Sequence, residues 1–212
     1  MYRCEAVSIA GFIQQLAVAY VAKGYWFYVT GCIPPHKEAS AVDEKLIQRY
    51  GISVSKWTRC RRKRRGCGNV QYLRFRRFFV LLATRGEHQF FEKETCIKDV
   101  RRNPIHCFGY TVGCYRGRNG RWRASVRIEQ MLLKELSQEA MSAALLEPIE
   151  ALQCWFSLLP FEPYAPVCSQ LLGLLAKVNR LRTAAGMELL PVWAIRLRRA
   201  PVRFHAKPCS AR

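Results

Sequence analysis

Residues 107–128 read CFGYTVGCYRGRNGRWRASVRI, two strand-compatible runs joined at Asn119-Gly120. A type I′ hairpin turn needs φ > 0 at both central residues, and Asn-Gly meets that need at the least steric cost. With those two residues as the turn, Arg118 faces Arg121, Arg116 faces Arg123, Cys114 faces Ser125 and Val112 faces Arg127. The two-residue side-chain period then gathers Arg116, Arg118, Arg121, Arg123 and Arg127 on one face. Tyr115, Trp122, Ala124 and Val126 fall on the other, expected to pack on a core. Like charges across paired strands repel. Such a face is expected to be covered by an anion, a nucleic-acid backbone foremost; a solvated arginine face is the alternative.

The surrounding chain extends this charge. The 212 residues carry 35 Lys+Arg against 15 Asp+Glu, a net charge of +20. Between 51 and 130, twenty Lys+Arg stand against five Asp+Glu, a net of +15. Excess of that size opposes compaction and favours polyanionic partners, nucleic acid first and an anionic membrane surface second. Half of the chain is hydrophobic, which excludes the disordered class and supplies a core. The cysteines are scattered with no CxxC pair, so a reduced cytoplasmic setting is expected. Cys60/Cys67 and Cys107/Cys114 share a spacing of six intervening residues, wide for a zinc site. They are the weak metal candidates, and buried small hydrophobes is the plainer reading. No GxGxxG, P-loop, HExxH, GxSxG or C2H2 pattern occurs, and no cofactor is expected.

Upstream of the hairpin, 55–66 (SKWTRCRRKRRG) is the densest cationic run, with Lys56, Arg59, Arg61, Arg62, Lys63, Arg64 and Arg65 around Trp57. Ser55 is placed to cap a short helix that repels itself at i,i+3 and i,i+4 and should order on a polyanion. Residues 25–31 (YWFYVTG) read as a buried strand. Residues 41–50 form a helix with Val42, Leu46, Ile47 and Tyr50 on its apolar face. Residues 70–75 and 78–83 read as strands around Arg76-Arg77, the second apolar enough to be covered on both faces. Arg74, Arg76 and Arg77 add to the expected nucleic-acid set, and Trp57, Tyr72 and Trp122 are its possible stacking surfaces. His88 and Glu92, at i,i+4, are weak candidates for a metal or general-base role, as Tyr110 and Tyr115 are for a nucleophile; a polar structural loop is the alternative.

The expected fold is α+β: a mostly antiparallel four- or five-stranded sheet (25–30, 70–75, 78–83, 105–115, 121–128) with a C-terminal helical subdomain. The strand-helix-strand-strand order resembles the ferredoxin-like layout of RNA-recognition domains and of single-stranded-DNA transposases and replication initiators. The resemblance covers 25–128 and implies nucleic-acid binding. Their motifs are not matched: the aromatic consensus is only echoed by Arg77-Phe78-Phe79-Val80, and 78–82 contains no His. Residues 1–24 are expected to be an amphipathic leader helix or a poorly ordered extension outside the main fold. Residues 129–187 are expected to be helical, with Pro148 in a first helical turn and Lys177, Arg180 and Arg182 on a basic outer edge. Residues 188–212 are expected to be a basic tail. The functional expectation is a nucleic-acid-binding protein, RNA or ribonucleoprotein ahead of DNA. A metal-dependent nuclease or transposase-like enzyme is one alternative. A subunit docking a protein partner through its C-terminal helices is another.

Overall fold

The computed structural model describes residues 2–198 together with Val202 and Phe204. The chain forms two compact units, divided within residues 105–125. The first begins with α1 (Ile9–Gln14), which runs on into a π-helical turn (Gln15–Tyr20) and a 3-10 turn (Val21–Lys23). It continues with β1 (Tyr25–Cys32), α2 (Ala39–Arg49), α3 (Lys56–Arg64), β2 (Val70–Phe75), β3 (Phe78–Thr84), α4 (Phe90–Lys93) and the short β4 (Lys98–Asp99). The strands lie in the order β2-β3-β1-β4, every neighbouring pair antiparallel. Strands β1 and β2 are therefore parallel with β3 inserted between them, a split βαβ unit and the ferredoxin-like connectivity.

The registers sort each strand into two faces. Phe79, Leu81 and Ala83 of β3 share a face with Val70 and Tyr72 of β2. That face packs in one core with Tyr50, Ile52 and Phe90 of the connecting segments. The opposite face carries Leu73, Val80, Leu82 and Tyr28, all buried. Here Phe12 meets Phe78 edge-on, with ring centroids 5.9 Å apart, and Phe12, Ile13 and Leu16 are fully buried. The N-terminal segment, expected to lie outside the fold, is thus part of the first unit. A strand as apolar as FFVLLA needs cover on both sides, and α1 supplies the second cover. Residues 4–6 also run along the outer edge of β2. There the Arg74 N–H donates to the Cys4 carbonyl, and the Ala6 N–H to that of Arg74, each at 2.8 Å. An edge that would otherwise recruit another chain is closed.

The remaining strands, β5 (Ile105–Cys107), β6 (Tyr110–Arg116) and β7 (Trp122–Ile128), form a separate three-stranded sheet in that order. One continuous strand over 105–115 was expected; Phe108 and Gly109, at φ 52° and 76°, break it instead. Both central residues of this two-residue turn have positive φ, so the I′ geometry expected at Asn119-Gly120 sits here. Residues 112–124, the hairpin end of this sheet, belong to the first unit.

The second unit takes 106–111 and the chain from Ser125 through α5 (Gln130–Ala143), α6 (Ile149–Leu158) and α7 (Ala165–Ala184). Leu152, Phe156, Val167, Leu171, Leu174, Leu175 and Val178 are its buried apolar side chains on α6 and α7. Pro148 is the N-cap of α6 rather than a residue of its first turn. The Gln170 side chain holds both backbone groups of Ile128, at 2.8 and 3.1 Å. Arg182, expected on the basic outer edge, is buried. Its Nη1 donates to the carbonyls of Ala144 (2.8 Å) and Glu147 (3.3 Å), and its Nε to that of Glu188 (2.6 Å). A guanidinium satisfies several orphan carbonyls beyond a helix end at once, which explains the burial. Leu190, Ala194 and Ile195 are buried as well, so the stretch to Ile195 packs in this unit, and Arg196 to Arg198 are exposed; the rest of the expected tail, save Val202 and Phe204, lies outside the described residues. Among the described residues no helix is long and apolar enough to cross a membrane.

Candidate nucleic-acid interface

Helix α3 forms where Ser55 caps it, its hydroxyl accepting the Thr58 N–H at 3.1 Å. At about 100° per residue, Thr58, Arg59 and Arg62 fall on one side, and these three are half-buried. The Asn69 side chain donates to the Arg59 carbonyl (3.1 Å), and Arg59 Nη1 donates to that of Val54 (2.6 Å). The opposite side carries Trp57, Cys60, Arg61 and Arg64, all exposed, and Trp57 shows 76 % of its surface. No residue of α3 is buried, and among the described residues none of its cations forms an ion pair. The helix therefore presents an indole inside a field of unneutralised guanidinium and ammonium groups.

The hairpin differs from its expected register by one residue. The Gly117 N–H donates to the Arg121 carbonyl at 2.9 Å, and the Gly120 N–H to that of Gly117 at 2.9 Å. Gly120, and not Asn119, carries the positive φ, 71°. This is a three-residue loop ending in an αL glycine. Counted from that closing bond, Arg116 lies opposite Trp122, Tyr115 opposite Arg123 and Cys114 opposite Ala124. A one-residue slip exchanges faces. The expected single face of five arginines is accordingly divided: Arg116 sides with Trp122, Arg123 with Tyr115, and Arg118 stands at the loop. Arg127 is exposed in the second unit. Arg116, Arg118, Arg121 and Arg123 remain exposed around the loop. Tyr115, expected in a core, is 47 % exposed.

Trp122 does not stand free. Its ring lies 6.2 Å from that of Trp26, and the Arg101 guanidinium sits 4.4 Å from the Trp26 centroid and 5.6 Å from that of Trp122. Asp99 grips Arg101 through both oxygens, which raises the arginine pKa and holds the Asp99 carboxyl below the usual range. Tyr25, the neighbour of Trp26 on β1, lines a cavity with Arg59 of α3. Consecutive residues at the start of β1 thus join the two cationic elements at one end of the sheet. The sequence reading missed Trp26 and Arg101, whose partnership spans three segments of the chain.

Three other expected contacts are already engaged. Arg74 is buried, its Nε 2.9 Å from Asp43 and its Nη1 3.0 Å from Glu5. Arg77 donates to the carbonyls of Pro34 (2.5 Å) and Pro35 (3.0 Å), closing the Pro34-Pro35 turn. Tyr72 is fully buried and donates to Asp43 at 2.6 Å, so it offers no stacking surface. Arg76 is exposed in the turn between β2 and β3, with φ 53° and its guanidinium over Phe75.

The catalytic and metal candidates are scattered. His88 Nδ1 accepts the Phe90 N–H at 3.1 Å, and burial, then the charge of Arg62, lowers the imidazole pKa. Glu92 is exposed. The buried Tyr110 hydroxyl accepts the Glu162 N–H at 2.8 Å, leaving it a structural tie in the second unit.

Neither cysteine pair builds the metal site for which its spacing made it a weak candidate. Cys60 is exposed on the outer side of α3. Cys67, half-buried just beyond that helix, has a structural place instead. Its N–H donates to the Arg62 carbonyl at 3.0 Å, its backbone bridges to Glu87, and its thiol lies 4.0 Å from the Arg65 carbonyl. Cys107 is buried, its thiol pushed up to about 12 by burial, and burial raises Cys114 to about 11. A thiol held protonated is a poor ligand. Among the described residues no three His, Cys, Asp or Glu side chains converge on a possible metal position. The plainer reading as buried small hydrophobes fits Cys107 but not Cys60 or Cys67, which solvent reaches.

No family model, curated protein or solved structure matches this chain.

Proposed function

We propose that this protein binds nucleic acid, RNA ahead of DNA, through the outer face of α3 and the arginine loop at 116–123. The observation that carries the reading is Trp57, 76 % exposed between Arg61 and Arg64 on the outer side of a helix with no fully buried residue. An exposed indole set among unpaired cations offers a stacking surface for a base or sugar while the cations hold phosphates. RNA is preferred because a cationic helix and a projecting loop follow an irregular strand better than a regular groove. Arg74, Arg77 and Tyr72 are left out of this interface, as their side chains are committed within the fold.

The test is RNA and DNA binding across a salt series. Each phosphate contact contributes about −0.7 to −0.9 to the slope of log K against log salt. Replacing Arg61, Lys63 and Arg64 with Ala should flatten the slope by about 2, and so should replacing Arg118, Arg121 and Arg123. Trp57→Ala should weaken binding about tenfold or more, with Tm unchanged. Absence of binding at low salt overturns the proposal.

A protein partner on the second unit is a separate reading, favoured by the exposed Met131, Leu146, Leu158 and Trp193. Met131→Asp would disrupt such docking and leave the salt slope as it was.

A further inference from the structure

A cavity of about 480 Å³ in the first unit is lined by Arg3, Arg59, Tyr2, Tyr20, Tyr25 and Gln71, among others. Among the described residues its lining includes two arginines and three tyrosines and no Asp or Glu. Tyr2 and Tyr20 place their hydroxyl oxygens 3.5 Å apart, and the Tyr20 and Tyr25 ring centroids are 5.7 Å apart. The Tyr2 hydroxyl is held by β2, donating to the Tyr72 carbonyl at 2.7 Å and accepting the Tyr72 N–H at 3.1 Å, while burial raises the Tyr25 phenol pKa above the ordinary tyrosine value, so Tyr25 keeps its proton at neutral pH. The π-helical turn supplies Gln15 and Tyr20 to the wall, a use of extra helical width found often at functional sites.

The donors decide what fits. A cation would meet two positive charges and no counter-charge. An apolar ligand would offer no acceptor to the guanidinium N–H groups that remain beside the Arg59–Val54 bond. An oxyanion with several acceptor oxygens satisfies both kinds of donor, and guanidinium geometry favours phosphate in particular. The cavity volume accommodates more than the phosphate alone. Arg59 lies on the inward side of α3 and Trp57 on its outward side, so one helix contributes to both the cavity and the exposed cationic face.

We propose that this cavity takes the terminal phosphate monoester of a nucleic-acid strand, with Arg3 and Arg59 as its counter-charges. The inference rests on the nucleic-acid reading of α3 for the source of the phosphate, and on the cavity alone for its chemistry.

The experiment uses the full chain and one short single-stranded RNA with a 5′-phosphate, a 3′-phosphate or hydroxyl ends. One phosphorylated form should bind about tenfold tighter than the hydroxyl form. Arg3→Gln should erase that preference and leave the affinity of the hydroxyl form unchanged; Tyr25→Phe should reduce it. Arg3 is exposed and outside the core, so its replacement does not threaten folding. In parallel, thermal denaturation is followed with inorganic phosphate and with a nucleoside monophosphate. Equal affinity for all three RNAs, with no Tm rise from either small anion, overturns the cavity as a phosphate site while the polyanion reading of α3 stands. Stabilisation by the small anions, lost in Arg3→Gln and without RNA binding, supports the phosphate chemistry and overturns the strand end as its source.

Discussion

Asp43 accepts the Tyr72 phenol at 2.6 Å, the Arg74 Nε at 2.9 and 3.0 Å and the Cys4 thiol at 3.3 Å. This one carboxylate ties α2 to β2 and to the segment along the edge of β2. A buried ion pair contributes little against an apolar replacement, but removing one member strands the other. Asp43→Ala is therefore expected to cost about 3 kcal/mol in urea unfolding; a loss below about 1 kcal/mol would mean that Glu5 and water satisfy Arg74 unaided. Sequence reading placed Arg74 on the nucleic-acid surface, because an arginine in a basic block looks like its neighbours. Asp43 does share a helical stripe with Ile47 and Tyr50. Its partner, though, is 31 residues away, and no local pattern announces a pair at that distance.

Among the elements, α3 and the strands around 70–84 are readable from local chemistry. Ser55 caps, a dense cationic run follows, and the apolar run Phe78-Phe79-Val80-Leu81-Leu82 sits within an internal strand. The hairpin shows where such reading stops. Asn119-Gly120 permits a two-residue I′ turn, yet the loop closes from Gly117 to Arg121 and spares Asn119 a positive φ. Two loop geometries differ by little in energy, and the surrounding strands select between them. Gly120→Ala tests the chosen one. A Cβ there meets nothing within 4 Å, so the whole cost is that of φ 71° in a residue with a side chain. Thermal or urea unfolding should show a loss of about 1 kcal/mol. No loss would point to an alternative loop with Asn119 in the left-handed region.

At the scale of the molecule, the net charge of +20 governs behaviour in solution. Self-repulsion among exposed cations falls as salt screens it. Raising the ionic strength should therefore raise Tm, and a polyanion should do so at far lower concentration. A fall in Tm with salt would mean that the exposed pairs, such as Arg196–Glu162, outweigh the repulsion. Composition and period determined much here: the α+β class, most strand and helix positions, the basic character and the exposed cationic run around Trp57. They did so because charge and apolar periodicity are local properties that a helix or strand expresses directly. Tertiary structure alone decided that residues 9–20 cover the second face of the sheet. It also decided that Arg74 and Arg182 are spent inside the fold, that the hairpin register divides the arginines, and that Arg3 and Arg59 meet around a tyrosine-lined cavity. Each depends on groups far apart in the chain, and only the closing of the fold sets their distance.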